Sequence, residues 1–194
     1  MALPRLKKPI SVEEYLRGEE IAEVRHEYIG GQVYAMVGAS RQHNTVALNL
    51  ASVLQRHLRG GPCRAYISDV KVRLRLANEE IFYYPDLVVA CEPSDRARYW
   101  VEQPRLIVEV LSETTERIDR REKLLAYTQI PSLQEYVLIS QWRPEVMIYR
   151  SSSGWAAETL TEGELRLQSI DLGIALASIY EGVEFEAHNA DWSA

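Results

Sequence analysis

Two carboxylates lie in apolar stretches of this sequence, where charged side chains are uncommon. Asp86 follows Pro85 at the start of the run LVVA, and Glu109 lies in the middle of the run LIVEVL. Burying an unpaired charge is costly, so such residues are usually hydrogen bonded, paired or bound to a metal. On neighbouring strands, about 4.8 Å apart, two carboxylates can share a hard divalent cation, which prefers oxygen ligands. Asp86 and Glu109 therefore predict a metal site.

A lysine follows these carboxylates in the segment after the Glu109 strand. The residues Asp119, Lys123, Ala126 and Ile130 fall within a helical sector about 60° wide when each residue turns about 100°. Lys123 thus shares a face with apolar residues and is predicted to turn inward, toward the sheet. The alternative is a solvated ion pair between Lys123 and Asp119 at the spacing i, i+4.

Three helices, four strands and two hairpins are predicted to position these residues. Ser11 and Glu14 form a capping box at the start of a short helix, and Gly30-Gly31 mark the turn of a hairpin. The other helices are NTVALNLASVLQRHL and TERIDRREKLLAYTQI, where periodicity and the following Gly or Pro set the ends. The strands are YISDVKVRLRL, IFYYPDLVVAC, RLIVEVL and EYVLIS, and the second hairpin joins EVMIYR to GWAAETL.

This order of elements predicts an α/β or α+β fold with one mixed central sheet, flanking helices and added β-hairpins. The runs IFYYPDLVVAC and RLIVEVL are almost continuously apolar, which is typical of strands covered on both faces. No internal repeat or linker divides the chain. We therefore expect one domain over residues 1–194, in which residues 158–194 form an acidic C-terminal extension.

The charge of the chain is unevenly distributed. The net charge is −6, but residues 158–194 hold eight acidic residues and one basic residue, while residues 1–157 hold 20 acidic and 21 basic residues. An acidic protein is a poor candidate for coating nucleic acid without specificity. Contact between the nearly neutral main body and a polyanion is compatible with these numbers but is not demanded by them.

Several classes of protein and site are disfavoured by what the sequence lacks. No run approaches the roughly 18 apolar residues of a membrane span, and the basic start MALPRLKKPI is not followed by the apolar region of a secretory signal. Cys63 and Cys91 form no CxxC motif, so we expect reduced, buried thiols in a cytoplasmic protein. There is no glycine-rich phosphate loop, GxSxG or HExxH motif, and no organic cofactor is expected.

Three basic residues, Lys71, Arg73 and Arg75, alternate with apolar residues along one predicted strand. They form either an ordinary solvent-exposed face or a set of contacts to the phosphates of a nucleic acid, which would be independent of base sequence.

Three segments, taken in this order, resemble the Uma family of "putative restriction endonucleases" in the PD-(D/E)XK nuclease-like superfamily. These are PDLVV (85–89), VEVLS (108–112) and DRREKLLAY (119–127), with further support from HEYIGGQV (26–33) and His43. In the wider superfamily the lysine lies two residues after the strand glutamate, where this chain has Leu111. In the family it lies in the following helix, and Lys123 is the matching position. The chain departs from the family at Arg105 and in the stretch IPSLQEYVL, which concern packing.

The resemblance implies a restriction-endonuclease-like fold and a DNA endonuclease that hydrolyses phosphodiester bonds. Asp86 and Glu109, with the Val110 carbonyl, would hold Mg²⁺ or, as an alternative, Mn²⁺. The ion would polarise the scissile phosphate and lower the pKa of the attacking water. Lys123 would orient that water or neutralise charge in the transition state.

The resemblance also adds two residues and a partner to this expectation. Glu27 would supply a further carboxylate, and His43 would act as an acid or base or contact a phosphate. A homodimer is expected.

Other readings of the same residues stay open. Glu109 could be a structural partner of Arg105, His43 a helix cap, and Tyr127 a core residue. The whole chain could be a non-catalytic binding module for nucleic acid or protein that keeps the nuclease fold, because the acidic C-terminal segment works against DNA affinity. A metal-dependent hydrolase of another substrate is a third reading, since a metal site does not identify the substrate.

Overall fold

The computed structural model describes residues 8–185, which form three β-sheets and five α-helical segments. The helices are α1 (Val12–Ile21), α2 (Arg41–His57), α3 (Glu116–Ile118), α4 (Leu124–Tyr127) and α5 (Leu176–Ile179). A π-helical turn (Asp119–Lys123) joins α3 to α4. The strands are β1 (His26–Ile29), β2 (Gln32–Ala35), β3 (Arg64–Ile67), β4 (Lys71–Leu76), β5 (Glu79–Tyr83), β6 (Leu87–Ala90), β7 (Trp100–Val101), β8 (Pro104–Leu111), β9 (Glu135–Ser140), β10 (Val146–Arg150), β11 (Ala157–Leu160), β12 (Glu164–Leu167) and β13 (Leu172–Ala175).

The strands are divided between a five-stranded sheet, a six-stranded sheet and a small hairpin. The five-stranded sheet has the order β2-β1-β5-β4-β7, the six-stranded sheet the order β11-β10-β9-β8-β6-β3, and β12 pairs with β13. Both larger sheets are mixed, because β8 runs parallel to β9 and β4 parallel to β7. The predicted α+β class is confirmed, and the structure adds a second large sheet that the sequence reading merged with the first.

Two stretches that read as single strands are each divided between the two large sheets. YISDVKVRLRL becomes β3 and β4, and IFYYPDLVVAC becomes β5 and β6. The first break contains Asp69, whose φ of 71° is incompatible with extended backbone. The second contains Pro85, which has no N–H to give to a sheet ladder. The single-strand readings are therefore wrong, and Asp86 lies where the chain crosses from one sheet to the other.

Both faces of the inner strands β6, β8 and β9 of the six-stranded sheet are buried, which explains their nearly continuous apolar sequence. Alternate residues of β8 belong to different cores: Val108 and Val110 pack with α2, α5 and the β12–β13 hairpin, while Ile107 and Leu111 pack against the five-stranded sheet and α4. Glu109 follows the same alternation as Ile107 and Leu111. Its side chain is consequently placed in the core between the two sheets.

The predicted first helix and both predicted hairpins are present. Ser11 and Glu14 form the capping box of α1, and β1 and β2 flank the glycine turn. The hairpin β10–β11 is also formed. Within the segment predicted as an acidic extension, residues up to 185 supply most of β11, then β12, β13 and α5, and Leu165 and Ile179 are core residues. Residues 186–194 lie outside the described part of the chain.

The cysteines do not behave as expected. Cys63 and Cys91 form a disulfide, so the prediction of two reduced thiols is wrong. They lie one residue beyond Arg64 and Ala90, which face each other in the antiparallel β3–β6 pair. The register therefore makes the cysteines neighbours across the strands, although 28 positions separate them in the sequence. Between residues 8 and 185 no helix has the length and apolar character needed to cross a bilayer.

Candidate active site

Asp86 and Glu109 face each other across two neighbouring strands. β6 and β8 are antiparallel with Leu87 opposite Val108, so the next pair in register is Asp86 and Glu109. The Asp86 N–H lies 3.4 Å from Glu109 Oε2, and the Val110 N–H donates to Asp86 Oδ2 at 2.7 Å. The sheet backbone thus holds the two carboxylates in a fixed relation.

Lys123 lies at the centre of a group of carboxylates. Its Nζ is 3.0 Å from Glu109 Oε1, 3.0 Å from Glu27 Oε1 and 3.2 Å from Asp119 Oδ1. Glu109 Oε1 also accepts a hydrogen bond from the Tyr127 hydroxyl at 3.1 Å. The structure therefore pairs Glu109 with Lys123 and Tyr127, and the contacts to Lys123 extend beyond a pair with Asp119.

The turn after β8 and the π-helical turn carry Lys123 back toward Glu109. Thr115 and Glu116 donate their N–H groups to the Ser112 carbonyl, which reverses the chain at the end of β8. A π-helical turn is wider than an α-helical one and often occurs at functional sites. Here both of its ends, Asp119 and Lys123, are buried. The predicted inward orientation of Lys123 is the one observed.

Three tyrosines form the apolar wall around Lys123. Tyr127 packs edge-on against Tyr83 and Tyr136, with ring centroids 5.5 Å and 5.2 Å apart. The Lys123 Nζ lies 5.4 Å from the centre of the Tyr83 ring, and the Tyr136 hydroxyl donates to the Asp119 carbonyl at 3.0 Å. These rings exclude water from one side of the charged group and hold the π-helical turn in place.

Glu27 and His43 complete the rim of the site. Glu27 on β1 reaches across from the five-stranded sheet, and its Oε1 lies 3.4 Å from the Tyr84 N–H. His43 is in the first turn of α2, where its Nε2 lies 3.2 Å from Asp86 Oδ2. The side chains of Asp86 and His43 are 19% and 13% exposed, whereas Glu109 is 4% exposed. Asp86 and His43 therefore lie at the mouth of the site and Glu109 at its base.

The site holds more negative than positive charge. Burial raises the pKa of Glu109 well above its ordinary value, and the charge of Lys123 offsets only part of this. Burial also raises the pKa of Asp119. Burial alone would lower the pKa of Lys123, but Glu109, Glu27 and Asp119 together raise it well above its ordinary value. Lys123 is therefore held in its charged form.

His43 is affected by the same surroundings. Burial would lower its pKa, but the hydrogen bond with Asp86, the charge of Asp86 and the Val110 carbonyl raise it on balance. The Val110 backbone thus contacts both residues at the mouth of the site, with its N–H donating to Asp86 and its carbonyl close to His43.

The donor set fits a hard divalent cation. Asp119 Oδ1 is buried and makes no hydrogen bond with the described residues, although Lys123 Nζ is close to it. Carboxylate oxygens and a backbone carbonyl are the ligands that Mg²⁺ prefers, together with several retained waters. In residues 8–185 no three His, Cys, Asp or Glu side chains converge as a preformed metal cage. The residues that could hold such an ion in an open site are the two facing carboxylates, Asp86 and Glu109.

The basic stripe Lys71, Arg73 and Arg75 is not a free solvent-exposed face. Lys71 is buried and donates to the Tyr84 hydroxyl at 3.0 Å. Arg73 pairs with Glu80 and Glu102, and Arg75 pairs with Glu80. The solvent-face reading is wrong for Lys71, whose strand enters the core at this end. The two arginines are neutralised by carboxylates.

The sequence reading missed a second polar network, which braces the site. Tyr84 donates its hydroxyl proton to Glu19 Oε2 at 2.7 Å, and His26 Nδ1 lies 2.9 Å from Glu19 Oε1. Tyr84 is two residues from Asp86, and His26 precedes Glu27. The network therefore ties the two rim carboxylates to α1. Its signal in the sequence is the spacing of Tyr15 and Glu19, which puts Glu19 on the buried face of α1.

Comparisons with known proteins bear on the family and the fold of the chain. The Uma2 family model, described as "Putative restriction endonuclease", matches residues 12–177. Two uncharacterized proteins from Synechocystis sp. are each 37% identical, one over 180 residues (91% of this chain and 94% of the relative) and the other over 146 residues (74% and 81%). The crystal structure of a "putative nuclease belonging to DUF820" from Anabaena variabilis superposes with a TM-score of 0.70 at 18% identity, covering 89% of this chain and 98% of that chain.

Proposed function

The chain belongs to the Uma2 family, described as "Putative restriction endonuclease", and we propose that it is a divalent-metal-dependent DNA endonuclease that hydrolyses phosphodiester bonds. One observation carries the proposal: Lys123 Nζ lies 3.0 Å from Glu109, which in turn faces Asp86 across two paired strands. A lysine beside two strand carboxylates, with excess negative charge, is the arrangement that phosphodiester hydrolysis with a bound cation requires.

Asp86, Glu109 and the Val110 carbonyl would hold the cation, with Mg²⁺ as the proposed ion and Mn²⁺ as the alternative. When bound, the ion would supply Lewis-acid polarisation of the scissile phosphate and a lower pKa for the attacking water. The sheet backbone keeps the two carboxylates in place without the ion, because the N–H groups of Asp86 and Val110 are directed at them.

Lys123 would provide fixed positive charge next to the reacting phosphate. Its neighbours keep it protonated, and its ammonium group can donate to a phosphate oxygen or orient a water molecule as negative charge develops. Glu27 and Asp119 also contact the ammonium group. His43, at the mouth of the site, would contact a phosphate or exchange a proton with the leaving oxygen.

The direct test is cleavage of plasmid and branched DNA by the purified chain with Mg²⁺, Mn²⁺ or EDTA. The variants Asp86→Asn, Glu109→Gln and Lys123→Met should each lose at least about a hundredfold in rate, as expected when one group of a charge-stabilising site is removed. Glu13→Gln, which changes an exposed carboxylate on α1, is the matched control and should cleave like the unmodified chain. Equal nicking by all variants would contradict the proposal, and an RNA substrate in the same assay separates the two nucleic acids.

Calorimetry with Mg²⁺ distinguishes the nuclease from the second reading, a non-catalytic binding module. Binding that disappears in Asp86→Asn supports the metal site even before cleavage is found, whereas no metal binding in the unmodified chain would favour the module. Homodimerisation is part of the proposal, and sedimentation at several concentrations tests it. The unpaired edges of β2 and β11 are surfaces on which two copies could pair strands.

A further inference from the structure

A cleft of about 390 Å³ opens beside the candidate active site. Its floor is formed where the parallel strands β8 and β9 end, at the segments that begin with Ser112 and Gln141, and its other wall comes from the segment before α2. Ligands commonly bind beyond the carboxyl ends of parallel strands. Its lining includes Val37, Ser40, Gln42, Ser112, Gln141 and Trp142.

Ser40 connects this cleft to the active site. Its hydroxyl accepts a hydrogen bond from the His43 N–H at 3.0 Å and donates to Gln141 Oε1. His43 in turn contacts Asp86. Ser112 provides a second connection, since it lies two residues after Val110. A ligand in the cleft would therefore be an immediate neighbour of a phosphate bound at Asp86 and Glu109.

Gln141 has hydrogen-bonding capacity that the described residues do not use. The side chain lines the cleft and is only 7% exposed. One end of its amide is bonded to the Ser40 hydroxyl, and in residues 8–185 the other end has no protein partner. Because the side chain lines the cleft, a ligand there could use this hydrogen-bonding capacity.

The chemistry of the lining suits a nucleobase. Trp142, which is half-buried against the core, contributes an aromatic ring to the lining, and Val37 adds an aliphatic surface. Ser40, Gln42 and Gln141 are uncharged groups that can bond to the edge of a base. The charged residue of the lining is Glu113, which would repel a phosphate. The cleft therefore favours a flat, neutral group over the sugar–phosphate backbone.

We propose that this cleft binds one unstacked base of a DNA strand next to the scissile phosphate, with Trp142 stacking on the base and Gln141 bonding to its edge. The inference rests on the proposed nuclease function and narrows it. A paired base is not available to such a cleft, and extruding it from a duplex costs free energy. The preferred substrate is consequently single-stranded, gapped or branched DNA.

The test is binding in EDTA, which needs no cleavage. Anisotropy with a labelled single-stranded oligonucleotide and with a hairpin duplex of the same sequence compares the unmodified chain with Trp142→Ala and Trp142→Phe. Trp142→Ala should weaken single-strand binding about tenfold, the usual effect of removing one stacking partner, while Trp142→Phe should retain most of the affinity. Gln141→Met should give a smaller loss that differs between homopolymers.

The control is Tyr99→Ala, which removes an exposed aromatic residue outside the cleft and should leave both affinities unchanged. Circular dichroism and thermal unfolding establish that each variant is folded. If Trp142→Ala does not fold, the comparison with Trp142→Phe and Gln141→Met still tests the proposal. Equal single-strand affinity in the unmodified chain and Trp142→Ala would overturn the proposal. So would equal or tighter binding of the duplex, or no measurable binding of single strands.

Cleavage of matched gapped and intact duplexes with Mg²⁺ distinguishes this inference from the function on which it rests. If the chain cleaves both equally and Trp142→Ala changes neither rate, the nuclease function stands and the base-binding cleft is overturned. If the chain cleaves neither but binds single strands in a Trp142-dependent manner, the cleft stands and the nuclease function fails.

Discussion

Two buried ionic clusters of this molecule differ in how their charges are balanced. In the first, Arg150 on β10 forms an ion pair with the buried Glu135 on β9 at 3.1 Å and also pairs with the exposed carboxylate of Glu158 on β11. The remaining groups are also used: Gln168 and Ser169 donate their N–H groups to the Glu135 carboxylate at 3.0 Å and 2.9 Å, and Arg150 Nη2 donates to the Arg166 carbonyl at 2.9 Å. This cluster, which we call the balanced cluster, joins the six-stranded sheet to β12 and the turn after it.

The second cluster lies at the candidate active site. Around the single ammonium group of Lys123 are the carboxylates of Glu27, Glu109 and Asp119, with Asp86 next to Glu109. Asp119 Oδ1 has no hydrogen bond from the described residues. Four carboxylates thus surround one lysine, with His43 beside Asp86, in a region where charge is poorly solvated, and burial accordingly raises the pKa of Glu109 and Asp119.

The difference separates a structural role from a functional one. A buried charge pair stabilises a fold only when its geometry and remaining hydrogen bonds are satisfied, and the balanced cluster meets that condition within the protein. The site cluster does not meet it, because its carboxylates outnumber its cationic groups. A divalent cation bound at Asp86 and Glu109 would supply the missing positive charge. Perturbed carboxylates in a cleft are typical of functional sites.

The largest expected effect on stability comes from breaking the balanced cluster. Arg150→Met leaves Glu135 buried without its counter-charge, and such a change usually costs about 3–5 kcal/mol of unfolding free energy. Denaturant unfolding measures it. Arg143→Met, which alters an exposed arginine paired with Glu145, is the control and should cost less than about 1 kcal/mol. A loss for Arg150→Met no greater than that of the control would show that the cluster does not stabilise the fold.

Cation binding should have the next largest effect, and it should act on the site cluster alone. At a free Mg²⁺ concentration about 100 times the dissociation constant, a ligand that binds only the folded state adds about 2.7 kcal/mol to the unfolding free energy. We expect this gain in the unmodified chain and in Glu135→Gln, but not in Asp86→Asn. Thermal unfolding with Mg²⁺ and with EDTA provides the measurement, and a gain that persists in Asp86→Asn would place the ion elsewhere.

The same substitution should have opposite signs in the two clusters. Glu135→Gln replaces a carboxylate whose two oxygens both accept hydrogen bonds. It should lower the unfolding free energy by about 2 kcal/mol, within the range for hydrogen bonds to charged groups. Glu109→Gln removes a buried carboxylate, and its side-chain carbonyl can still accept hydrogen bonds from Lys123 and Tyr127. It should therefore raise the unfolding free energy by about 1 kcal/mol, and it should abolish cleavage. Parallel denaturant titrations in EDTA compare them, and destabilisation of equal size in both would remove the distinction between the clusters.

The residues of the site cluster could largely be found from the sequence, because each breaks a local pattern. Glu109 interrupts an apolar strand, Asp86 follows a proline, and Lys123 shares its helical sector with apolar residues. Such inconsistencies between a residue and its surroundings are where functional residues are expected. For Asp119 the sequence offers only its spacing to Lys123, since nothing local indicates that its carboxylate is buried.

The rest of the fold depends on contacts that no local pattern carries. The alternation of apolar residues continues through Asp69 and the continuous apolar run continues through Pro85, so neither pattern can show that β3 and β4, or β5 and β6, belong to different sheets. The same limit applies to Lys71, whose burial follows from packing beside Tyr84. The Cys63–Cys91 disulfide follows from the register of the β3–β6 pair. That register is set by strand pairing and cannot be read from the spacing of the cysteines.

The smallest predicted effect concerns the hydroxyl group that Tyr127 directs at Glu109. Tyr127→Phe keeps the ring between Tyr83 and Tyr136 and removes one hydrogen bond of 3.1 Å, so it should cost about 1 kcal/mol. Tyr149→Phe is the control, because within residues 8–185 the hydrogen-bond partner of its hydroxyl is the weak acceptor Met147 Sδ, and it should lower the unfolding free energy by less. Denaturant unfolding measures the difference between the two variants.

If Glu109 were a purely structural residue, the cleavage rate of Tyr127→Phe would match that of the unmodified chain. If Glu109 must be oriented to bind a metal, the rate should fall when one of its side-chain hydrogen-bond donors is removed. A measurable fall in rate with little change in stability would therefore assign Tyr127 to positioning Glu109, and an unchanged rate would leave it as a core residue.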